Sequence, residues 1–194
     1  MRRVLFMFLV IGAAAACTRK PETDKDQAAT PAAPPPAAAA GCADGFLKAR
    51  LRGALDTDLD WRDAGMRCEG GPRPGGKGLR VTLAGPIPGS GEPARQLRFI
   101  FGIATRDIAA GAAQALPTNV TIILEGGGQM YATRGDGHCA VEELERSPLP
   151  GDASRQRVHV RGYCLDPAGA MSGDGRLHVP TFEFSGVVDA GEKP

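Results

Sequence analysis

The sequence predicts a mainly β protein, an antiparallel sheet forming a sandwich or open barrel, with one N-terminal helix near residues 44–55. Three observations carry that expectation. The 194 residues include 27 glycines and 16 prolines, which disfavour element interiors and fill a chain with turns. Apolar residues recur with a period of two over most of the C-terminal part of the chain. The repeated alternation of helical and strand patterns that builds parallel sheets is missing.

The elements follow in order. Between Asp44 and Leu55, the residues Phe46, Leu47, Leu51, Ala54 and Leu55 share a helical face, Lys48, Arg50 and Arg52 point away, and Asp44 stands where an N-cap belongs. The period then changes to two. In Leu79-Arg80-Val81-Thr82-Leu83 the odd positions are apolar, and Leu97, Phe99, Phe101 and Ile103 alternate with Gln96, Arg98 and Gly102. Val120, Ile122 and Leu124 continue the rule. Glu125-Gly126-Gly127-Gly128-Gln129 supplies turn chemistry before Met130-Tyr131-Ala132-Thr133, the pattern of a hairpin, and Asp136-Gly137 marks another turn. Val158, Val160, Gly162 and Cys164 face one way, and Arg157, His159, Arg161 and Tyr163 the other. Phe182, Phe184, Gly186 and Val188 make the last strand, with Pro180 placing its start at an edge or bulge. The reading is seven or eight strands. Ile100 and Ile123 fall on the polar parity, so the helix is expected to cover part of the second face. Residues 106–116, Ala-rich around Gly111, read as either a short helix or a loop.

The N-terminal segment has a separate logic. Arg2 and Arg3 precede an apolar run from Val4 to Ile11, too short for the about 20 residues that a membrane-spanning helix needs. Gly12-Ala13-Ala14-Ala15-Ala16 then leads directly to Cys17, the layout of an export signal with small residues at its processing site. These seventeen residues resemble the lipobox of bacterial lipoproteins, with Ala14 where that motif usually carries Leu. The resemblance implies that residues 1–16 are removed as a signal peptide and that Cys17 is lipidated. It also implies a cell-envelope location: Thr18 and Arg19 lack the Asp that retains many such proteins at the inner membrane, so the expected site is the outer membrane, facing the periplasm. Residues 17–40 then form a lipidated, disordered Ala/Pro-rich tether, because prolines 31 and 34–36 remove donors and favour extended polyproline geometry. Residues 41–190 form a single β-rich domain, and 191–194 a frayed tail. The globular part matches no family on named motifs.

Export puts Cys42, Cys68, Cys139 and Cys164 in an oxidising space. Four cysteines admit three pairings, and sequence alone does not choose among them. Neighbour pairing, Cys42 with Cys68 and Cys139 with Cys164, is the expectation; each bridge closes a loop of about 26 residues and contributes roughly 3.5 kcal/mol on the chain-entropy account. Zinc is disfavoured, since no C-x-x-C pair occurs.

Motifs for chemistry fail on inspection. Gly71-Pro72-Arg73-Pro74-Gly75-Gly76-Lys77-Gly78 has P-loop spacing, but Gly78 offers no hydroxyl to Mg²⁺, prolines remove backbone donors, and a strand follows instead of a helix. It reads as a hairpin loop. No G-x-S-x-G occurs, and Ser90 lies in a plain turn. His159 and His178 bind a metal only if they meet across neighbouring strands with a third donor. The loop from Asp166 to Gly175 lacks the acidic spacing of calcium loops and reads as a hairpin turn. No catalytic residue, metal or cofactor is therefore assigned. A net charge of +1 gives no general attraction to nucleic acid.

One surface feature stands above background. The outward row Arg157, His159, Arg161 and Tyr163, flanked by Tyr131 and Arg134, is suited to docking an anionic glycan, peptide or partner protein. The reading preferred over it is a solvated face whose cations pair with Glu142, Glu143 and Glu145. The expected function is a non-enzymatic, membrane-anchored envelope protein that binds or supports another envelope component. The first alternative is a small-molecule carrier with an apolar cavity lined by Phe99, Phe101, Phe182 and Phe184. The second is a small envelope hydrolase, which requires Ser, His and acid side chains converging in a cleft.

Overall fold

The computed structural model describes residue 42 and residues 44–75, 77–105 and 115–190. The expected signal peptide, the expected tether with Cys17, most of the 106–116 segment and the expected frayed tail lie outside these residues. Twelve strands occur among them: β1 (Phe46–Gly53), β2 (Thr57–Arg62), β3 (Arg67–Pro72), β4 (Leu79–Pro86), β5 (Gln96–Ile103), β6 (Leu116–Leu124), β7 (Gln129–Ala132), β8 (Cys139–Leu149), β9 (Asp152–Cys164), β10 (Ala168–Ala170), β11 (Arg176–His178) and β12 (Phe182–Asp189). Every pairing is antiparallel. The mainly β expectation holds.

The expected helix near 44–55 does not. Its residues form β1, a strand with β2 on one edge and β12 and β11 on the other. The segment satisfies two periods at once: Leu47, Ala49 and Leu51 are buried while Lys48, Arg50 and Arg52 are exposed, which is an alternation as well as a helical face. Over eight residues, neighbouring strands decide. Asp44, the supposed N-cap, takes a left-handed conformation with φ of 57° in the turn before β1. Without a helix, Ile100 and Ile123 are half-covered by the strands beside them, where they stand opposite Thr82 and Thr121, and Arg98 and Met130.

Hydrogen bonding runs in the order β3-β4-β5-β6-β7-β10-β11-β1-β12-β9-β8, with β2 added on β1 and β8 reaching the start of β6. The sheet therefore curls back on itself, and β3, β4 and β5 face β12 and β2 across the core. Phe101 lies with its ring centroid 4.9 Å from that of Phe182 and 4.6 Å from that of Phe184, and it stacks on Phe99 at 5.7 Å. Trp61 closes one end, edge-on to Phe99, with its indole Nε1 donating to the Pro86 carbonyl at 2.8 Å. Gly85 permits this: a Cβ there would lie 2.7 Å from the indole ring.

The P-loop-like string is the β3–β4 hairpin loop. Arg73 in that loop makes a two-point ion pair with Asp136 at 2.9 and 2.7 Å, and Asn119 of β6 donates to the same carboxylate at 2.7 Å. The hydrogen bond to Asp136 raises the Arg73 pKa above its ordinary value. Cys139 is bridged to Cys164, its register partner across β8 and β9, and Cys42 is bridged to Cys68 of β3.

Candidate functional site

The outward row sits on β9, where alternation sends Val158 and Val160 into the core and leaves Arg157, His159, Arg161 and Tyr163 on the outer face. The expected pairing of this row with acids of residues 142–145 is observed for Glu143 and Glu145, and a neighbouring strand shows how it arises. In β8 the pairing register slips between Val141 and Glu143, so Glu142 is an extra residue. Before the bulge Cys139 and Val141 point inward; after it Leu144 points inward opposite Val160, and Glu143 and Glu145 turn outward opposite Arg161 and His159. A bulge re-aims side chains in this way.

The registers of five strands then align into one line. Asp60 of β2 faces Lys48 of β1, Lys48 faces Glu183 of β12, Glu183 faces Arg161 of β9, and Arg161 faces Glu143 of β8. Charges alternate along the whole line, and opposite charges directly across strands attract. Arg161 Nη2 is 2.9 Å from Glu143 Oε2. In the next line, His159 Nε2 lies 3.2 Å from Glu183 Oε1, and its Nδ1 is 4.0 Å from Glu145 Oε2. Arg157 reaches Asp44 at 3.5 Å. Phe46, outward on β1, lies against the His159 ring at 5.9 Å, with the Arg62 guanidinium 5.7 Å from its centroid.

Beside this line a cleft of about 590 Å³ opens between β1 and β9. Its walls include Arg50, Asp58, Arg161, Tyr163 and Glu183, and Phe182 contributes to its floor. Cations and anions are mixed, so the cleft suits a ligand that presents both donors and acceptors next to an apolar surface for Tyr163.

The expected flanking residues are elsewhere. Tyr131 is buried on β7, between β6 and β10, and Arg134 lines a second cleft of about 610 Å³ with His138, Asp166, Asp174 and Arg176. His159 and His178 do not meet either. His178 is on β11, hydrogen-bonded through Nε2 to the Cys164 carbonyl at 3.0 Å. His138 pairs with Asp166 at 2.9 Å in the second cleft. Ser90 bonds the Ile87 carbonyl and the Arg95 amide, and Ser154 bonds Asp152. Ser90, Ser154 and the three histidines are thus engaged with separate partners, while Ser185 of β12 stands across from His159 in register. The rings of Phe99, Phe101, Phe182 and Phe184, expected to line a cavity in a carrier, pack against one another in the core.

No family model, no curated protein and no solved structure matches the chain. Among the described residues, no helix is long and apolar enough to cross a membrane.

Proposed function

We propose that the chain is a non-enzymatic, lipid-anchored envelope protein, and that its domain binds another envelope component at the cleft beside Arg161 and Tyr163. The observation that carries the reading is Cys17, placed directly after a short apolar core and a run of small residues behind two arginines. One acyl chain binds a bilayer marginally, whereas the several chains expected on a lipoprotein cysteine retain a protein firmly. Holding the domain at a surface raises its local concentration there, which makes a modest cleft effective. The mixed charges of the cleft favour a glycan or a polar protein surface over a lipid or a nucleic acid.

Metabolic labelling with a fatty-acid probe tests the anchor. The parent chain should incorporate label and Cys17→Ala should not; equal labelling refutes lipidation. A photo-crosslinking residue at position 163 in the native envelope should give a discrete adduct that Arg161→Glu weakens, while the same residue at Arg134 gives none. Identical patterns from both positions refute the cleft.

A further inference from the structure

We propose that the outer face carries a divalent transition-metal site formed by Glu143, Glu145 and His159. One donor atom from each of these residues lies within 4.8 Å of the others. Imidazole nitrogen with two carboxylates is a donor set that suits Zn²⁺ and its neighbours, whereas Ca²⁺ takes six to eight oxygens. Two features of the imidazole distinguish this group from an ordinary acidic patch.

The first is its tautomer. His159 Nε2 donates to Glu183 Oε1 at 3.2 Å, which leaves the lone pair of the neutral ring on Nδ1, the nitrogen that faces Glu145. A carboxylate holding the far N–H of a ligating histidine is the usual outer arrangement of such sites; it orients the ring and raises its basicity. Phe46 lies against the ring at 5.9 Å and limits its rotation. The second feature is spacing. The 4.0 Å between Nδ1 and Glu145 Oε2 is too long for a hydrogen bond. Donors bound to one tetrahedral ion at about 2.0–2.1 Å stand roughly 3.3 Å apart, so the separations, none above 4.8 Å, must close by up to about 1.5 Å, shared between two exposed side chains. Glu143 also holds Arg161 through Oε2 at 2.9 Å, a contact that the ion must share or displace. The three protein ligands leave a fourth position for water or for a donor of a docked molecule.

The site is independent of the anchor, and its test leaves the anchor reading untouched. The full-length chain, purified in mild detergent and stripped with a chelator, is titrated calorimetrically with Zn²⁺. One saturable site is expected. His159→Gln and Glu145→Gln should each weaken it about tenfold or more, and Glu183→Ala by a similar factor through the ring, as removal of an outer partner does. Asp174→Asn, in the other cleft, should change nothing. No saturable binding up to about 1 mM, or equal affinity in His159→Gln, overturns the proposal. Histidine NMR of the unmutated protein gives a reading that needs no variant. Zn²⁺ should shift His159 Nδ1 and leave His178 unmoved; a shift confined to His138 also overturns the site.

Discussion

Replacing Phe101 by Ala separates a filled interior from a carrier's cavity. The ring has no exposed surface and touches three others, with centroids 4.6 Å from Phe184, 4.9 Å from Phe182 and 5.7 Å from Phe99. Truncating a fully buried Phe costs about 3–5 kcal/mol, since the transferred surface is lost and a cavity remains. Aromatic pairs add about 0.5–1.5 kcal/mol beyond area, so three contacts put this site near the top of the range, at about 4–5 kcal/mol. That is a large share of the roughly 5–15 kcal/mol that holds such a domain together. Phe101→Leu keeps most of the volume and should cost about 1.5 kcal/mol. Urea unfolding followed by Trp61 fluorescence gives both values, because Trp61 packs on Phe99 next in the stack. A loss below about 2 kcal/mol for Phe101→Ala would refute the packing argument. It would mean that the ring already borders empty space, as a carrier requires.

Asp136→Ala should lower stability by about 1–2 kcal/mol, measured as a shift in the urea midpoint, because it releases both Arg73 contacts and the Asn119 donor at a partly exposed site. Arg73→Ala should cost less, since the carboxylate keeps Asn119; the reverse order would contradict the network. Gly162→Ala should cost about 1–3 kcal/mol by the same assay, as a Cβ there would meet the Ala140 carbonyl and lie 2.6 Å from the Phe182 ring. Asp152 titrates at about 2 because Ser154 and Arg155 hydrogen-bond its carboxylate. This contribution favours the fold above the ordinary 3.8 and is lost as the pH falls towards about 2; carboxyl NMR should place the midpoint there, and Ser154→Ala should move it upward.

Strands with clean alternation and bulky apolar residues were legible from sequence: β4, β5, β6, β9 and β12 bury the parity that their side chains announce. Two kinds of segment were not. β1 carries leucines spaced for both periods, and only its position between β2 and β12 makes one period win. In β8 the period breaks at Glu142, so Cys139-Ala140-Val141 and Glu143-Leu144-Glu145 have opposite parities and no window shows a strand. The twelve strands exceed the seven or eight expected partly for this reason, and partly because β10 and β11 have three residues each, too few for a period. The four residues of the outward row were legible, and so were the acids Glu142, Glu143 and Glu145 expected to pair with them; which acid meets which base was not. A signal was present: acids at 143 and 145 match bases at 159 and 161 with the same spacing of two. It becomes visible only when the long hairpin pairs them.

The alternating line across β2, β1, β12, β9 and β8 bears on what the face can recognise. Each interior charge of the line has an opposite charge on both sides, so the face carries little net field, and a partner is not drawn to it by long-range attraction. Exposed pairs are individually weak, about 0–1 kcal/mol, so a ligand with matching donors and acceptors can replace one at small cost. A uniformly charged ligand gains from one half of the line and is opposed by the other. Selectivity at this face therefore rests on the order of charges and on Tyr163 beside them, and reversing a single member, as in Arg161→Glu, places three acids in succession where the parent chain alternates.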